Sequence, residues 1–186
     1  MDLTDEQIML DYISGRKEAA QMIFNRYKLR ILNFCWRILG NRGEAEDVAG
    51  EVFLSLFTNQ YVPQPQVKFS TWLYTVARNR CIDTIRIRSR YTSEDNAEAV
   101  GKNIELGPGP QDQLAIKETG DHVREAITRL PPEQLEAIVL QHYEGLSYEE
   151  ISKVLDCSLD KVKVLIFRAK EKLRVELAFI LKEGQR

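Results

Sequence analysis

The residues with the most evident chemistry are cations clustered on one predicted helix near the C-terminus. From Lys161 to Arg174 the sequence has six positive residues and one negative residue. A helical wheel puts Val164 and Phe167 on an outward face that is flanked by cations such as Lys163. Cations at this spacing suit DNA phosphates, and the two apolar side chains suit base edges or thymine methyl groups in a major groove. The pattern therefore predicts a helix that reads DNA.

The preceding residues predict a partner helix and a tight break. Ser147 and Glu150 have the spacing of a capping box, and apolar residues follow at helical spacing. Residues 156–158 are short and polar enough to end that helix, and Ser158 or Asp160 can cap the next one. Together these features predict a helix-turn-helix. A basic amphipathic helix alone is also typical of an ordinary solvated surface.

A second predicted helix, Glu44 to Thr58, has an outward face that folding does not require. This face contains Asp47, Gly50, Glu51 and Leu54. A glycine costs about 1 kcal/mol relative to alanine in an exposed helix interior. An exposed leucine among acids likewise contributes nothing to folding. We interpret this face as a docking surface for a basic partner, with plain solvation an equally open alternative.

A third predicted helix begins at Thr71, after a loop from Asn59 to Ser70 that contains two prolines. Trp72 is among the residues available to pack inward. An aromatic residue, an amide and arginines on the polar side are the groups that stack on and read unpaired bases. Taken alone, they favour an ordinary helix surface. The polar side comprises Tyr74, Thr75, Arg78, Asn79 and Arg86.

The charge distribution explains why a predicted DNA-binding chain is slightly acidic overall. The net charge of −2 divides into +3 for residues 1–90, −4 for 91–118 and −1 for 119–186. Within these parts, cations concentrate at 78–90 and on the helix that begins near Leu159. Two basic stripes separated by an acidic segment predict two DNA-facing surfaces.

Several functional classes lack support in the sequence. Cys35, Cys81 and Cys157 are odd in number and have no CxxC spacing, which indicates reduced structural thiols rather than disulfides or zinc. With two histidines, a metal or catalytic cluster is not expected, and neither is enzyme activity.

The acidic N-terminus has no secretion signal, and the longest uncharged stretch, 52–67, contains prolines. We expect a cytoplasmic protein that does not insert into membranes.

The periodicity predicts an all-α fold of two small helical domains joined by a flexible acidic linker. We place the first domain at 1–90, the linker at 91–113 and the second domain, with the helix-turn-helix, at 114–186. The Gly-Pro repeat at 107–110 supports this linker.

These segments together resemble the extracytoplasmic-function (ECF) sigma factors, the small two-domain members of the bacterial sigma-70 family. AEDVAGEVF at 45–53 is similar to the family's polymerase-clamp helix, and KFSTWLYTVARNRCIDTIR at 68–86 to its promoter-melting helix. Residues 130–170 are similar to the domain that reads the −35 element. The resemblance implies an RNA polymerase subunit that directs promoter-specific initiation and needs no cofactor. It also implies core RNA polymerase, promoter DNA and an anti-sigma factor as partners.

The resemblance also implies roles for individual residues. Contacts to core polymerase are expected from Asp47, Glu51 and Leu54. Contacts to the −10 element, including a flipped base at Asn79, are expected from Tyr61, Lys68, Phe69, Trp72, Arg78, Asn79, Arg80, Arg86 and Arg88. Contacts to the −35 element are expected from Gln141, Ser158, Lys161, Lys163, Val164, Phe167, Arg168 and Lys170.

The sequence departs from the family pattern at several of these positions. Gly50 stands where the family usually has glutamine, Val164 where it has serine, and Leu165 where it has arginine. The reading helix begins with Asp160-Lys161 where the family often has Gly-Thr. The alternative function is a free-standing helix-turn-helix regulator, commonly a dimer on a palindromic site. That alternative leaves the leucine-bearing acidic face unexplained.

Overall fold

The computed structural model describes residues 3–64, 66–94, 123 and 125–183. The chain divides into two compact units, Met1–Lys102 and Asn103–Arg186. Within the described residues the secondary structure is helical, apart from one isolated bridge between Gln64 and Val67. The prediction of an all-α fold with two helical domains is therefore confirmed.

The first unit contains four described helices, and local caps fix the starts of two of them. Thr4 and Gln7 form the predicted capping box, and Asn41 accepts a hydrogen bond from the Glu44 amide. Such caps satisfy amides that have no partner within the helix. The helices are α1 (Asp5–Ile13), α2 (Lys17–Leu39), α3 (Arg42–Ser55) and α4 (Phe69–Glu94). A wider π-type turn, Leu56–Gln60, continues α3.

The core of the first unit lies where α2 packs against α3 and α4, with α1 against α2. The Phe34 and Tyr74 rings meet edge to face at 5.3 Å. Cys35 and Cys81 are fully buried, and neither forms a disulfide. Other fully buried side chains are Ile8, Ile23, Ile31, Val52, Leu56, Phe69, Leu73 and Ala77.

The second unit contains the predicted helix-turn-helix. Its helices are α5 (Pro132–Ile138), continued by a π-type turn (Val139–Tyr143), α6 (Tyr148–Leu155) and α7 (Leu159–Glu183). Residues 125–128 are also helical. The core is formed mainly between α5 and α7 and between α6 and α7. Its most deeply buried residues are Ala126, Ala137, Val139, Leu140, Ile151, Val154, Val162, Ile166 and Ala169.

Two sequence predictions about α4 are wrong. Tyr74 was placed on the polar side, but it is fully buried because it shares the inward stripe of Ala77 and Cys81. The linker that we place from residue 91 overlaps this helix, because α4 continues to Glu94 and no glycine or proline interrupts it. The rest of the predicted linker, and the start of the second domain predicted at 114, lie outside the described residues.

No helix in the described part of the chain is both long and apolar enough to cross a membrane. The same residues contain no group of three or more His, Cys, Asp or Glu side chains that could hold a metal ion.

Candidate nucleic-acid and polymerase interfaces

The outward face of α3 is as exposed as its sequence pattern predicts. Asp47, Gly50 and Glu51 are exposed, and 64% of the Leu54 surface is accessible. The opposite face is buried against the core of the first unit. Gly50 borders open space, since no atom lies within 4 Å of the position a Cβ would occupy. This α3 face thus presents an apolar side chain between carboxylates without being needed for packing.

The residues predicted to contact the −10 element separate into a buried group and an exposed group. Tyr61, Phe69 and Trp72 form an aromatic cluster at the start of α4, with Tyr61 edge to face on Phe69 at 5.3 Å and on Trp72 at 4.9 Å. Phe69 is fully buried and also packs against Tyr27 at 5.6 Å. Phe69 therefore belongs to the core of the first unit, and its contact with DNA stays a prediction that its burial does not support.

Tyr61 is also largely buried, with 8% of its surface exposed, whereas Trp72 is half-buried and Lys68 exposed. Burial raises the pKa of Tyr61, and the nearby carboxylates of Glu6 and Asp5 raise it further. The Tyr61 hydroxyl is therefore protonated at neutral pH. Trp72 and Lys68 are the members of this group that solvent reaches.

The polar side of α4 presents Asn79 at the surface and Arg78 partly buried beside it. The arginines that follow differ in their surroundings. Arg80 lies 3.6 Å from Glu51, and Arg86 lies 3.6 Å from Asp83 on its own helix. Each of these pairs is exposed, so its contribution to stability is small, about 1 kcal/mol or less.

Arg88 is held differently from the other arginines of α4. Its Nη1 lies 3.1 Å from Glu44 and also donates to the Leu39 carbonyl at 3.4 Å. Because Leu39 is the last residue of α2, this contact satisfies a carbonyl at the end of that helix. Arg88 therefore ties α4 to the α2–α3 junction in addition to presenting a positive charge.

The helix-turn-helix has the predicted caps and one conformation that the sequence did not reveal. Ser147 and Glu150 complete a reciprocal capping box at the start of α6. Asp156 ends α6 with a positive φ of 51°, a left-handed conformation that aspartate tolerates better than most residues. Ser158 then caps α7 by accepting from the Lys161 amide at 3.2 Å. The tight break therefore rests on Asp156 and Ser158.

The outward face of α7 exposes both predicted apolar residues. Phe167 has 66% of its surface accessible and Val164 has 45%. The neighbouring Lys163 pairs with Asp160 at 3.1 Å, whereas Lys161 reaches Glu133 of α5 at 2.7 Å. Lys163 thus stays beside the exposed face, while Lys161 is also engaged in packing α7 against α5.

The remaining residues predicted to contact the −35 element differ in their exposure. Arg168 and Lys170 are exposed, and Gln141 is half-buried in the turn that follows α5. Leu165, which stands where the family usually has arginine, is buried with 8% of its surface exposed. At that position the side chain packs inward, which explains how a leucine is accommodated there.

Two family descriptions match separate parts of the chain. The family description Sigma-70 region 2 matches residues 23–91, and Sigma-70, region 4 matches residues 121–173. The first range contains α3 and most of α4, and the second contains the helix-turn-helix. A free-standing helix-turn-helix regulator does not account for the first match.

Curated relatives match nearly the whole chain. The ECF RNA polymerase sigma factor SigW of Bacillus subtilis is 32% identical over 88% of this chain and 91% of its own length. The RNA polymerase sigma-H factor of Pseudomonas aeruginosa is 31% identical over 97% of both chains.

A solved structure shows the same fold. It is the sigma factor RpoE of Bartonella quintana in complex with the anti-sigma factor NepR, with a TM-score of 0.73 and 20% identity over 85% of this chain and 96% of that chain. The family matches and the curated relatives together identify the chain as a member of the ECF sigma factors of the sigma-70 family, which bind core RNA polymerase and direct promoter-specific transcription initiation.

Proposed function

We propose that this sigma factor divides initiation among three surfaces. The outward face of α3 binds core polymerase, the polar side of α4 with the loop before it captures the −10 element, and the outward face of α7 reads the −35 element. The observation that carries this division is the exposure of a large apolar side chain among charges on two separate helices, Leu54 on α3 and Phe167 on α7. Neither exposure serves folding.

Docking on polymerase is favoured by an exposed apolar side chain, because its burial at the interface lowers the free energy of binding. Leu54 is 64% exposed, and burying a leucine side chain is worth about 1.5–3 kcal/mol. Asp47 and Glu51 on the same face add electrostatic complementarity to a basic partner, which favours fast association and the correct orientation. This combination supports α3 as the docking helix.

Capture of the −10 element requires groups that bind unpaired bases and the phosphates between them. Asn79 is exposed and can donate to and accept from a base edge, while Trp72 offers a partly exposed ring. Arg78, Arg80 and Arg86 supply positive charge along the same helix. Unstacking a base costs a few kcal/mol, which these contacts must offset.

Reading of the −35 element rests on α7 in a major groove. Val164 and Phe167 face outward and can contact base edges, while Lys163, Arg168 and Lys170 are placed for phosphates. Lys161 and Ser158 lie at the N-terminal end of the helix, where amides also attract phosphate.

We further propose that the protein has no catalytic activity of its own and works in the cytoplasm, where core polymerase meets chromosomal DNA. We also propose an anti-sigma partner that covers these surfaces. The Bartonella quintana protein of the same fold was crystallised with such a partner, which supports this proposal.

The first experiment is native co-elution of the purified chain with bacterial core RNA polymerase, followed by transcription from a randomised promoter library. We expect a stoichiometric complex and selection of promoters with two conserved elements. The absence of a complex, with the chain folded and no inhibitor bound, contradicts the docking assignment. A complex that selects no promoter contradicts the two DNA assignments.

A further inference from the structure

The short N-terminal helix α1 holds both ends of the segment that links α3 to α4. The Tyr12 hydroxyl donates to the Phe57 carbonyl at 3.0 Å, and Phe57 lies in the π-type turn that continues α3. The Phe69 amide, the first of α4, donates to the Glu6 carboxylate at 3.2 Å. The residues between Phe57 and Phe69 include the loop that we assign to −10 capture.

Both contacts satisfy backbone groups at the ends of helices, where the helix itself provides no partner. Glu6 acts as an N-terminal cap supplied from another helix, and its negative charge is also favourable beside the positive end of the α4 dipole. The Tyr12 ring packs edge to face on Phe57 at 5.7 Å. Each end of the loop is thus held by one polar group from α1.

The helix that makes these contacts is itself firmly held. Ile8 and Met9 are buried, and the Asp5 carboxylate accepts hydrogen bonds from both Tyr27 and Arg26 of α2. The Thr4–Gln7 capping box fixes the start of α1. With its start and its inward face both fixed, α1 can restrain the loop ends instead of following their motion.

This arrangement lies partly outside the part of the chain that the family description covers. The Sigma-70 region 2 match begins at residue 23, after the end of α1. Burial raises the pKa of Tyr61, which lies within the loop, and the negative charge of Glu6 raises it further. The two hydrogen bonds that hold the loop ends therefore come from a helix that the family description does not cover.

We propose that α1 sets the spacing and orientation of the loop ends, and that Glu6 and Tyr12 are positioning residues for capture of the −10 bases. This inference rests on the proposed assignment of the loop and Asn79 to that capture. A loop held in its binding conformation loses less conformational freedom when it takes up bases, so promoter opening becomes more favourable. Docking of α3 on polymerase does not depend on these two hydrogen bonds.

The test compares Glu6→Ala and Tyr12→Phe in holoenzyme assembled with bacterial core polymerase. The promoter is one selected from the library with the unmodified chain, and opening is followed by 2-aminopurine fluorescence in its −10 region. We expect each variant to lower the equilibrium constant for promoter opening about fivefold, which is the effect of losing one hydrogen bond. Affinity for core polymerase should change less than twofold.

Three comparisons separate positioning from general destabilisation. Glu6→Gln keeps an acceptor oxygen and should restore most of the opening. Asp11→Asn alters a charge on the same helix that pairs with Arg16 away from the loop, and it should open promoters normally. Amide exchange at Phe69 in the free chain should be faster in Glu6→Ala than in the unmodified chain.

Unchanged opening in Tyr12→Phe overturns the proposal even where Glu6→Ala fails to fold, because Tyr12→Phe keeps the packed ring. Equal losses of core affinity and opening also overturn it, since they indicate a purely structural effect. If the unmodified chain neither binds core polymerase nor opens any library promoter, the proposed function itself fails, which is distinct from either of these results.

Discussion

Arg80 on α4 pairs with Glu51 on α3, with Nη1 of the arginine 3.6 Å from Oε2 of the glutamate. A residue of the proposed DNA-capturing helix therefore contacts a residue of the proposed docking face. Both side chains remain well exposed, at 42% and 57%, so solvent screens the pair strongly. The pair thus joins two surfaces with different proposed roles without contributing much to the stability of the first unit.

The first prediction follows from this weak coupling. Arg80→Ala should change the free energy of unfolding by less than about 1 kcal/mol. It should nevertheless weaken promoter opening, and the salt dependence of binding should fall by about 0.7 in the log–log slope for one lost phosphate contact on single-stranded DNA. Denaturant unfolding and opening measured at several salt concentrations check the two parts.

Arg88→Ala is the matched comparison for Arg80→Ala. Arg88 pairs with Glu44 and donates to the last carbonyl of α2, so its loss leaves a backbone group with one partner fewer. We expect a larger stability loss than for Arg80, about 1–2 kcal/mol. Equal stabilities of the two variants contradict the capping role of Arg88, and unchanged opening in Arg80→Ala contradicts its role at phosphates.

The second prediction concerns the docking face of α3. Leu54→Ala combined with Glu51→Ala should weaken binding to core polymerase at least tenfold, as expected for loss of an apolar anchor and a charge at an interface. The fold should survive, because Leu54 is 64% exposed and packs little against the core. Competition against a labelled unmodified chain for core polymerase measures the change.

Leu10→Ala serves as the control for this double substitution. Leu10 is also a largely exposed leucine, at 58%, but it lies on α1 and not on the α3 face. Its removal should leave affinity for core polymerase unchanged. A double variant that competes as well as the unmodified chain rejects α3 as the docking helix.

The third prediction tests whether Gly50 occupies an exposed and unhindered position in α3. Gly50 lies in the interior of α3, and a Cβ there meets no atom within 4 Å, so Gly50→Ala should stabilise the first unit by about 1 kcal/mol. Gly15 also borders open space, but its φ of +97° is strained for alanine. Gly15→Ala should therefore destabilise the unit by about 1–2 kcal/mol.

Tryptophan fluorescence is a suitable measurement for both glycine variants. Trp36 and Trp72 are the two tryptophans of the chain, and both lie in the first unit. Unfolding of that unit can therefore be followed without a signal from the second. Destabilisation by Gly50→Ala is the result that contradicts an exposed, unhindered position in α3.

The sequence predicted the features that depend on neighbours within one or two helical turns. The Ser147–Glu150 capping box, the Ser158 cap and the outward positions of Leu54 and Phe167 all follow from local spacing. Helix periodicity fixes which residues share a face. These predictions therefore needed no knowledge of how helices pack against each other.

The features that the sequence did not predict depend on contacts between distant residues. Periodicity puts Tyr74 on the polar side of α4, and the family resemblance implies a DNA contact for Phe69, yet α2 covers both side chains. The contacts of Glu6 with Phe69 and of Tyr12 with Phe57 join residues 63 and 45 positions apart. Periodicity gives no information on such separations, so tertiary packing decides them.

The fourth prediction separates base contacts from phosphate contacts on α7. Phe167→Ala should lower affinity for the selected −35 element by about 1–3 kcal/mol without changing the salt dependence, because an apolar contact to a base edge releases no counterion. Lys163→Ala should instead weaken binding to all sequences similarly and lower the log–log salt slope by about 1. Both variants should bind core polymerase normally.

Val175→Ala is the control for Phe167→Ala, since Val175 is equally exposed, at 65%, on the same helix. It lies eight residues further along, about 12 Å along the helix axis, so the proposed groove contact does not extend to it. Holoenzyme is titrated with the promoter duplex and with a duplex whose −35 element is scrambled, at several salt concentrations. These titrations give the affinity and the salt slope of Phe167→Ala, Lys163→Ala and Val175→Ala. If Phe167→Ala weakened both duplexes equally, Phe167 would contact DNA without reading sequence, and the reading role would pass to Val164 and the groups at the start of α7.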